Sequence, residues 1–278
     1  MTAVYGVMGW PVAHSRSPAI HNAAFAVLQV DAVYVPYAVP PERLGRAVEA
    51  ARALGLSGWN VTLPHKSAIM PFLSVIEPAA TAIGAVNTVL RDGERLIGAN
   101  TDAEGLTRSL REAGVWLQGA RAVVLGAGGA ARATVVGLAA AGVAEIAVAA
   151  RREEAAEGLV TELRAHCAQS VLTTSDLATG LATACTGRSL LIQATSATLA
   201  SAANAQAFAD ALPLRALAPG ATVCDLVYKP RETALLGRAR SLGLPVVDGL
   251  GMLLHQGALA FERWTGLPAP LGAMRSAL

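Results

Sequence analysis

The stretch RAVVLGAGGAARATVVGLAAAG, residues 121–142, decides the fold predicted for this chain. Its first residues form a short apolar run with the β-branched content of a buried parallel strand. Small residues follow at G-x-G-x-x-A spacing, and an apolar periodic segment continues to Gly142. A strand, a tight turn and a helix in this order bring free backbone N–H groups to the positive end of a helix dipole. The stretch therefore predicts a site for the pyrophosphate of a dinucleotide. The residues expected to line it are Gly126, Ala127, Gly128, Gly129, Ala130 and Ala131.

Strand-like and helical segments alternate on both sides of this stretch. Before it, strands are expected at 4–8, 32–39, 58–63 and 86–90, with helices at 18–29, 42–54 and 66–73. Asp92-Gly93 indicates a hairpin that joins 86–90 to a further strand at 95–99. A linking helix over 101–113 leads to strands at 122–125, 144–149, 190–193, 222–226 and 245–247. This rhythm predicts an α/β fold with a first α/β domain and a doubly wound parallel sheet of Rossmann type.

Composition and charge restrict the class of partner. The 278 residues are 53% hydrophobic, and 22 Lys and Arg against 20 Asp and Glu give a net charge of +2. With no long basic run, nucleic acid and anionic membranes are disfavoured as partners. Three widely spaced cysteines argue for a reducing compartment, and no signal peptide or membrane span is expected, so the protein is predicted to be cytoplasmic. The five histidines form no cluster with metal-ligand spacing, so no metal is expected.

Polar clusters stand at the ends of strand-like runs in the first domain, where open α/β sheets bind ligands. The first is His14-Ser15-Arg16-Ser17-Pro18. Ser17 suits a helix N-cap and Pro18 a first helical turn, but capping leaves Ser15 unexplained. Two hydroxyls spaced in this way at a helix start can both donate to a small carboxylate.

Three further clusters carry groups suited to proton transfer and hydroxyl binding. Lys66 ends the run 60–66 at the expected start of a helix, where the helix dipole disfavours its charge and would help it to exchange a proton. Asn87, in 84–88, can hydrogen-bond a substrate hydroxyl. Asp102 follows Asn100-Thr101, and from spacing alone it either caps the next helix or belongs to the site.

The second strand of the dinucleotide motif ends in two arginines, Arg151 and Arg152. NAD-selective sites place an acidic residue about 20 residues beyond the glycine turn, where it binds the ribose 2′-hydroxyl. Two guanidinium groups at that place favour a 2′-phosphate, and hence NADP, although an exposed charged turn would give the same sequence.

Seven motifs, taken in chain order, resemble the shikimate dehydrogenase family over nearly the whole chain. They are HSRSPAIHN (14–22), NVTLPHK (60–66), GAVNT (84–88), GANTDAEG (98–105), GAGGAAR (126–132), DLVYKP (225–230) and GLGMLLHQG (249–257). The resemblance implies an NADP-dependent interconversion of 3-dehydroshikimate and shikimate, a step in the route to aromatic amino acids. It also implies a substrate domain of residues 1–101 completed by helices in 249–278, a Rossmann domain over 102–248, and an active site in the cleft.

The same resemblance assigns residues to roles. Ser15, Ser17 and Tyr228 would hold the substrate carboxylate. Thr62, Lys66, Asn87, Asp102 and Gln256 would bind its hydroxyls and the reacting oxygen. Thr195, Gly249 and Met252 would join the glycine turn and the two arginines at the cofactor. Lys66 and Asp102 would be catalytic, because hydride arriving at a carbonyl carbon leaves negative charge on oxygen that needs a cation or acid beside it. Which of the two is the formal acid or base stays open. The resemblance leaves a monomer or a homodimer open as the state of the protein.

The sequence departs from the family pattern at two places. Ala150 and Arg152 replace residues of the usual Asn-Arg-Thr, and the run 193–198 has Gln193 and Thr198 where the family has Asn and Gly. Two alternatives therefore accompany the leading hypothesis. One is a quinate-accepting or divergent relative that uses NAD. The other is a non-catalytic nucleotide-binding regulatory module, against which the retention of Lys66 and Asp102 argues.

Overall fold

Two six-stranded sheets carry the fold, one in each of the two units into which the chain divides. The computed structural model describes residues 1–278. The first unit comprises Met1–Gly105 and Leu253–Leu278, and the second comprises Leu106–Met252.

The first unit alternates strands and helices before it closes with a hairpin. Its elements are β1 (Ala3–Gly9), α1 (Ser17–Val27), β2 (Ala32–Ala38), α2 (Leu44–Ala53), β3 (Gly58–Val61), β4 (Val75–Ile76), α3 (Pro78–Ile83), β5 (Thr88–Asp92), β6 (Arg95–Ala99) and the start of α4 (Asp102–Glu112). The sheet order is β2-β1-β3-β5-β6-β4, and β5 runs antiparallel to both of its neighbours. The predicted hairpin is confirmed: Asp92 pairs with Arg95 across a turn in which Gly93 has a φ of 59°.

The second unit is the predicted doubly wound sheet. Its elements are β7 (Arg121–Leu125), α5 (Gly129–Ala140), β8 (Glu145–Ala150), α6 (Glu153–Leu163), β9 (Val171–Asp176), α7 (Leu181–Cys185), β10 (Leu190–Gln193), α8 (Ala205–Ala211), β11 (Thr222–Asp225), α9 (Ala234–Ser241), β12 (Val246–Val247) and the start of α10 (Gly249–Thr265); α11 (Leu271–Ser276) ends the chain. All strands of the order β12-β11-β10-β7-β8-β9 are parallel. The strands are buried on both faces because an apolar cluster lies on each side of the sheet, as parallel sheets require.

Two local predictions are wrong. The segment 66–73 is a series of turns with a short 3₁₀ helix at Met70–Phe72, because Pro71 lacks an N–H and cannot continue an α-helical ladder. Ser17 does not cap α1; it is the first helical residue, and its N–H is bound by the Ser15 hydroxyl at 3.3 Å. The strands β4 and β9 lie outside the predicted set.

Helix hydropathy, the state of the cysteines and the grouping of possible metal ligands bear on the class of protein. No helix combines the length and the hydropathy needed to cross a membrane. Cys167, Cys185 and Cys224 are free and buried. No group of three or more His, Cys, Asp or Glu side chains is placed to hold a metal ion.

Candidate active site

An ion pair between Lys66 and Asp102 lies at the centre of the polar residues of the first unit. The Lys66 Nζ donates to Asp102 Oδ2 at 2.6 Å, and the side chains are 20% and 6% exposed. Lys66 lies in the turn after β3, and its carbonyl accepts the N–H of Val86 at 2.8 Å. Asp102 is the first residue of α4. The pair therefore joins two segments that are far apart in sequence, on a surface that stays open to solvent on the lysine side.

The carboxylate of Asp102 serves this site rather than its own helix. Its second oxygen accepts the side-chain amide of Asn87 at 2.8 Å, while the helix N–H at Asp102 is bound by Asn100 Oδ1 at 3.0 Å. The side chain of Asn100 therefore binds the first N–H of α4. The two oxygens of Asp102 are bound by Lys66 and Asn87 instead. The hairpin places these residues together, since Thr88 pairs with Ala99 and the residues just outside that pair must be neighbours.

Asn87 is held from several directions at once. Its amide nitrogen also donates to Thr101 Oγ1 at 2.9 Å, and its oxygen accepts the N–H of Thr101 at 2.8 Å. Thr88 Oγ1 donates to that oxygen at 2.9 Å, and the Gln256 oxygen lies 3.4 Å from the Asn87 amide nitrogen. Asn87 is 2% exposed, so its orientation is fixed by protein groups.

Gln256 reaches this set because α10 packs closely on α4. A side chain at Gly105 would collide with the backbone of Gln256, with a distance of 2.7 Å from an added Cβ to the Gln256 nitrogen. Glycine at this position therefore lets the two helices approach and brings Gln256 beside Asn87.

Two buried residues extend the network and were missed by the sequence analysis as site residues. The Tyr34 hydroxyl donates to Asn60 Oδ1 at 2.7 Å, and the Asn60 amide donates to the Asn87 carbonyl and to Thr88 Oγ1, both at 3.1 Å. Asn60 lies in β3 directly opposite Thr88. An asparagine inside an apolar strand was the available signal for Asn60, but nothing in AVYVPYA distinguishes Tyr34 from a core tyrosine.

The remaining first-unit residues assigned to the substrate lie in two nearby loops. Ser15 precedes α1 and is partly exposed, whereas Ser17 is buried. Thr62 follows β3, and its N–H binds the carbonyl of Met8 at 2.9 Å. A side chain at Gly9 would collide with the Thr62 methyl group, so the end of β1 passes directly beside this residue.

His21 is a fully buried residue of α1. Its ring stacks on Tyr34 with centroids 4.4 Å apart, and neither ring nitrogen has a hydrogen-bond partner. Burial lowers the pKa of His21 to about 3. The imidazole is therefore neutral at physiological pH and contributes packing rather than charge.

The glycine turn of the second unit fits a pyrophosphate. Gly126 has a φ of 117°, which only glycine adopts readily, and a Cβ there would lie 2.9 Å from the Thr195 methyl group. Gly128 is the extended N-cap of α5, which has no side-chain cap, and an added Cβ at Gly128 would meet nothing within 4 Å. The first-turn N–H groups of Gly129, Ala130 and Ala131 therefore face an open approach with no acidic side chain in that turn.

The two arginines predicted to select the cofactor lie at the end of β8. Arg151 and Arg152 directly follow β8, both are exposed, and neither forms an ion pair within the chain. Unpaired guanidinium groups at the end of the second strand suit a phosphate rather than a ribose hydroxyl.

Apolar side chains surround the carboxyl ends of the central strands. Ala127 follows β7, Ala194 follows β10, Leu226 follows β11, and Met252 lies in the first turn of α10; all four are partly buried against the core of the second unit. Gly249, the first residue of α10, packs against the backbone of Leu226 so closely that a Cβ would collide with it. These surfaces suit a flat aromatic ring, and the residues of this unit therefore fit NADP.

The last predicted site residue and the second place of departure from the family pattern, the run 193–198, also lie in the second unit. Tyr228 lies in the segment after β11 and is partly buried. Gln193 and Thr198, the departures, are both buried, and the Gln193 amide donates to Thr198 Oγ1 at 2.9 Å. The departures thus form a bonded pair.

Three family models match successive parts of the chain. The shikimate dehydrogenase substrate binding domain matches residues 7–89, the shikimate / quinate 5-dehydrogenase model matches 108–232, and the shikimate 5′-dehydrogenase C-terminal domain matches 249–278. Their order agrees with the two units described above.

Relatives and solved structures match the whole chain. The chain is 41% identical to the NADP⁺ shikimate dehydrogenase of Desulforamulus reducens, across 100% of this chain and 94% of the relative. The shikimate 5-dehydrogenase of Thermus thermophilus, in complex with NADP(H) and shikimate, is 37% identical with a TM-score of 0.87, covering 99% of this chain and 98% of the other. The quinate dehydrogenase of Corynebacterium glutamicum, in complex with NAD, is 29% identical with a TM-score of 0.89, covering 99% and 98%. The chain belongs to the shikimate dehydrogenase family.

Proposed function

We propose that this protein is an NADP-dependent shikimate dehydrogenase, which interconverts shikimate and 3-dehydroshikimate by hydride transfer. The observation that carries the proposal is the ion pair of Lys66 and Asp102 at 2.6 Å, fixed by the buried amide of Asn87. The names of the relatives support the same activity. We assign substrate binding to the first unit and NADP binding to the second.

When bound, NADP⁺ supplies the hydride acceptor and NADPH the hydride donor. In the reductive direction Lys66 stands beside the carbonyl oxygen, where negative charge develops, and the pair with Asp102 delivers the proton to that oxygen. In the oxidative direction the same pair receives the hydroxyl proton. Since Lys66 is partly exposed, that proton can pass on to water.

The other residues of the first unit hold the ring in place. Ser15 and Ser17 donate hydroxyl hydrogen bonds to the carboxylate, and we assign Tyr228 to the carboxylate as well. The side-chain groups of Thr62, Asn87 and Gln256 bind the ring hydroxyls. Thr88 and Thr101 hold the Asn87 side chain in its orientation before substrate binds.

The NADP site consists of the glycine turn, the arginines and the small apolar surfaces at the strand ends. Residues 127–131 would offer their N–H groups to the pyrophosphate, whereas the N–H of Gly126 is bound by the carbonyl of Ala149 and Gly126 contributes the close turn. Arg151 and Arg152 would bind the 2′-phosphate. Thr195, Gly249 and Met252 would hold the nicotinamide end.

The experiment that tests the activity combines shikimate or quinate with NADP⁺ or NAD⁺ and follows the absorbance of the reduced nicotinamide. For an NADP-dependent shikimate dehydrogenase, kcat/KM should be highest with shikimate and NADP⁺. A higher kcat/KM with quinate or with NAD⁺ would identify the protein as a quinate-using or an NAD-using relative instead. Absence of turnover in all four mixtures would leave a nucleotide-binding module.

The role of Lys66 is tested separately from the role of the cofactor site. Lys66→Ala should lower kcat by orders of magnitude and leave the Kd of NADP⁺ nearly unchanged. Arg95→Ala, which removes an exposed cation from β6 of the same unit, is the matched control and should keep its activity. Near-normal turnover of Lys66→Ala would remove Lys66 from the mechanism.

We further propose that the enzyme works in the cytoplasm as a monomer or homodimer, without nucleic acid or membrane partners. The net charge of +2 and the free, buried cysteines support this proposal. Sedimentation equilibrium should give the mass of one or two chains, and a larger assembly would contradict it.

A further inference from the structure

A buried carboxylate at the end of β11 is not used by the reaction described above. Asp225 is 0% exposed. Its Oδ1 accepts Thr198 Oγ1 at 3.1 Å, the N–H of Val227 at 3.0 Å and Gln193 Nε2 at 3.4 Å, and its Oδ2 accepts Thr233 Oγ1 at 2.8 Å. Burial raises the pKa of Asp225, and the hydrogen bonds from its neighbours oppose that rise.

These bonds join segments that carry residues of both binding functions. Thr198 ends the loop after β10, which contains Thr195 and lies against Gly126 of the glycine turn. Val227 immediately precedes Tyr228, which we assign to the substrate carboxylate. Thr233 is the N-cap of α9, and its hydroxyl accepts the N–H of Leu236 at 3.3 Å, so the far side of the carboxylate is anchored to a helix.

Gln193 connects the carboxylate to the backbone of the loop. Its amide nitrogen donates to Thr198 Oγ1 at 2.9 Å and to the carbonyl of Thr195 at 3.1 Å, and its oxygen accepts the N–H of Thr195 at 2.5 Å. Both polar ends of Gln193 are therefore bound within the loop. Ala197 continues the chain of bonds, since its N–H donates to Thr195 Oγ1 at 3.0 Å.

A buried ion needs every available donor, because removing one leaves charge uncompensated in a poorly polarisable surrounding. An apolar contact between this loop and β11 would also hold the two segments together, but it would not depend on individual hydrogen-bond donors. The carboxylate instead fixes the loop in one conformation, since each displacement of Thr198 or Gln193 breaks a bond to Asp225 or to a group bound to it.

We propose that Asp225, Gln193 and Thr198 form a positioning lock, which holds the loop 194–198 in the conformation that receives the nicotinamide end of NADP. The same lock fixes this loop relative to the segment that carries Tyr228. The proposal rests on the proposed function in its assignment of this loop to the cofactor. The three residues are positioning residues that act through Thr195 and Tyr228. The replacements Gln193 and Thr198 act together in the lock.

The test compares two ligands that occupy different parts of the cofactor site. Thr198→Val keeps the shape of the side chain and removes its donor. It should raise the Kd of NADP⁺ by about 10-fold, as expected for loss of a hydrogen bond to a charged group. The Kd of adenosine 2′,5′-bisphosphate, which lacks the nicotinamide, should stay within about twofold of the wild-type value, because this probe does not reach the loop.

Matched variants separate the lock from general loss of structure. Thr198→Ser retains the hydroxyl and should bind NADP⁺ with nearly the wild-type Kd. Thr222→Val changes a buried threonine at the other end of β11 and should leave both ligands unaffected. Gln193→Met removes the amide, and its combination with Thr198→Val should raise the Kd by less than the product of the single effects, since both act through one carboxylate.

A ligand-free measurement makes the lock testable apart from the activity. Hydrogen exchange of the whole protein should be about 10-fold faster at the amides of Thr195, Ala197 and Val227 in Thr198→Val than in wild type or Thr222→Val. Unchanged exchange at these amides, or equal weakening of NADP⁺ and adenosine 2′,5′-bisphosphate, would overturn the lock. A wild type that binds NADP⁺ but fails to oxidise shikimate would refute the proposed function alone.

Discussion

Asp102→Asn is the most informative single change in the candidate active site, because it keeps the size of the side chain and removes only its charge. The carboxylate accepts from Lys66 Nζ at 2.6 Å and from the Asn87 amide at 2.8 Å, through different oxygens. An amide offers one oxygen and one NH₂ group, so in the variant it can accept from only one of these donors. The other donor then faces an N–H group.

The structure sets the size of the two expected effects. Loss of one hydrogen bond to a charged group costs about 1.5–3 kcal/mol of unfolding free energy. Solvent offsets little of this, since Asp102 is 6% and Lys66 20% exposed. For catalysis, a positioned proton-transfer group contributes about 10²–10⁴-fold, so kcat should fall within that range. The Kd of NADP⁺ should stay unchanged, because no residue assigned to the cofactor is altered.

The assay measures initial rates of NADP⁺ reduction at saturating shikimate, together with urea unfolding and NADP⁺ titration of the same preparations. Asp92→Asn removes an exposed carboxylate from β5 of the same unit and should match wild type in all three measurements. If Asp102→Asn loses stability as calculated but retains kcat within about threefold of wild type, Asp102 has a structural role and the proton-transfer assignment is wrong.

Three further predictions address the cofactor, the substrate and the buried histidine. Replacing Arg151 and Arg152 by alanine should raise the KM of NADP⁺ by about 10-fold or more and leave that of NAD⁺ unchanged, because only NADP⁺ has a 2′-phosphate; equal effects on both cofactors would contradict this role. Tyr228→Phe should raise the KM of shikimate by about 10-fold with kcat nearly constant, since it removes one donor to the carboxylate; an unchanged KM in steady-state assays would exclude that contact. Urea unfolding should show wild-type stability falling by up to about 1.4 kcal/mol per pH unit below pH 6.5, because the unfolded chain protonates His21 while the folded-state pKa is about 3. His21→Phe should reduce this loss on acidification, and an unaltered slope between wild type and variant would show that other groups cause it.

Part of the candidate site follows from local sequence. Asp92-Gly93 predicts a two-residue hairpin turn, and such a turn fixes the register of the strands on either side. In the structure Asp92 pairs with Arg95, so the turn residues are Gly93 and Glu94, and counting outward from them pairs Thr88 with Ala99. This register makes neighbours of Asn87 and the residues that begin α4. The sequence therefore predicted the hairpin, but a turn formed by Asp92 and Gly93 themselves would pair Thr88 with Ile97, so the structure decided the register.

Other parts required the tertiary structure. The segment 66–73 has helical periodicity, but Pro71 and the bond from Val86 to the Lys66 carbonyl hold it in turns. Tyr34 becomes part of the polar network only because β3 brings Asn60 opposite Thr88. A side-chain pattern along one strand does not encode which polar partners reach it from other strands.

The sequence by itself determined the glycine turn and the alternation of strands and helices, because these depend on backbone preferences and apolar periodicity over neighbouring residues. Its seven motifs indicated the family by resemblance. Only the tertiary structure decided that Asp102 binds Lys66 instead of capping its helix, and that Gln193 and Thr198 meet Asp225. The physical reason is that a buried polar group is stabilised by whichever partners the folded chain brings within hydrogen-bonding distance, and those partners lie 36 residues away for Lys66 and Asp102 and 27 residues away for Thr198 and Asp225.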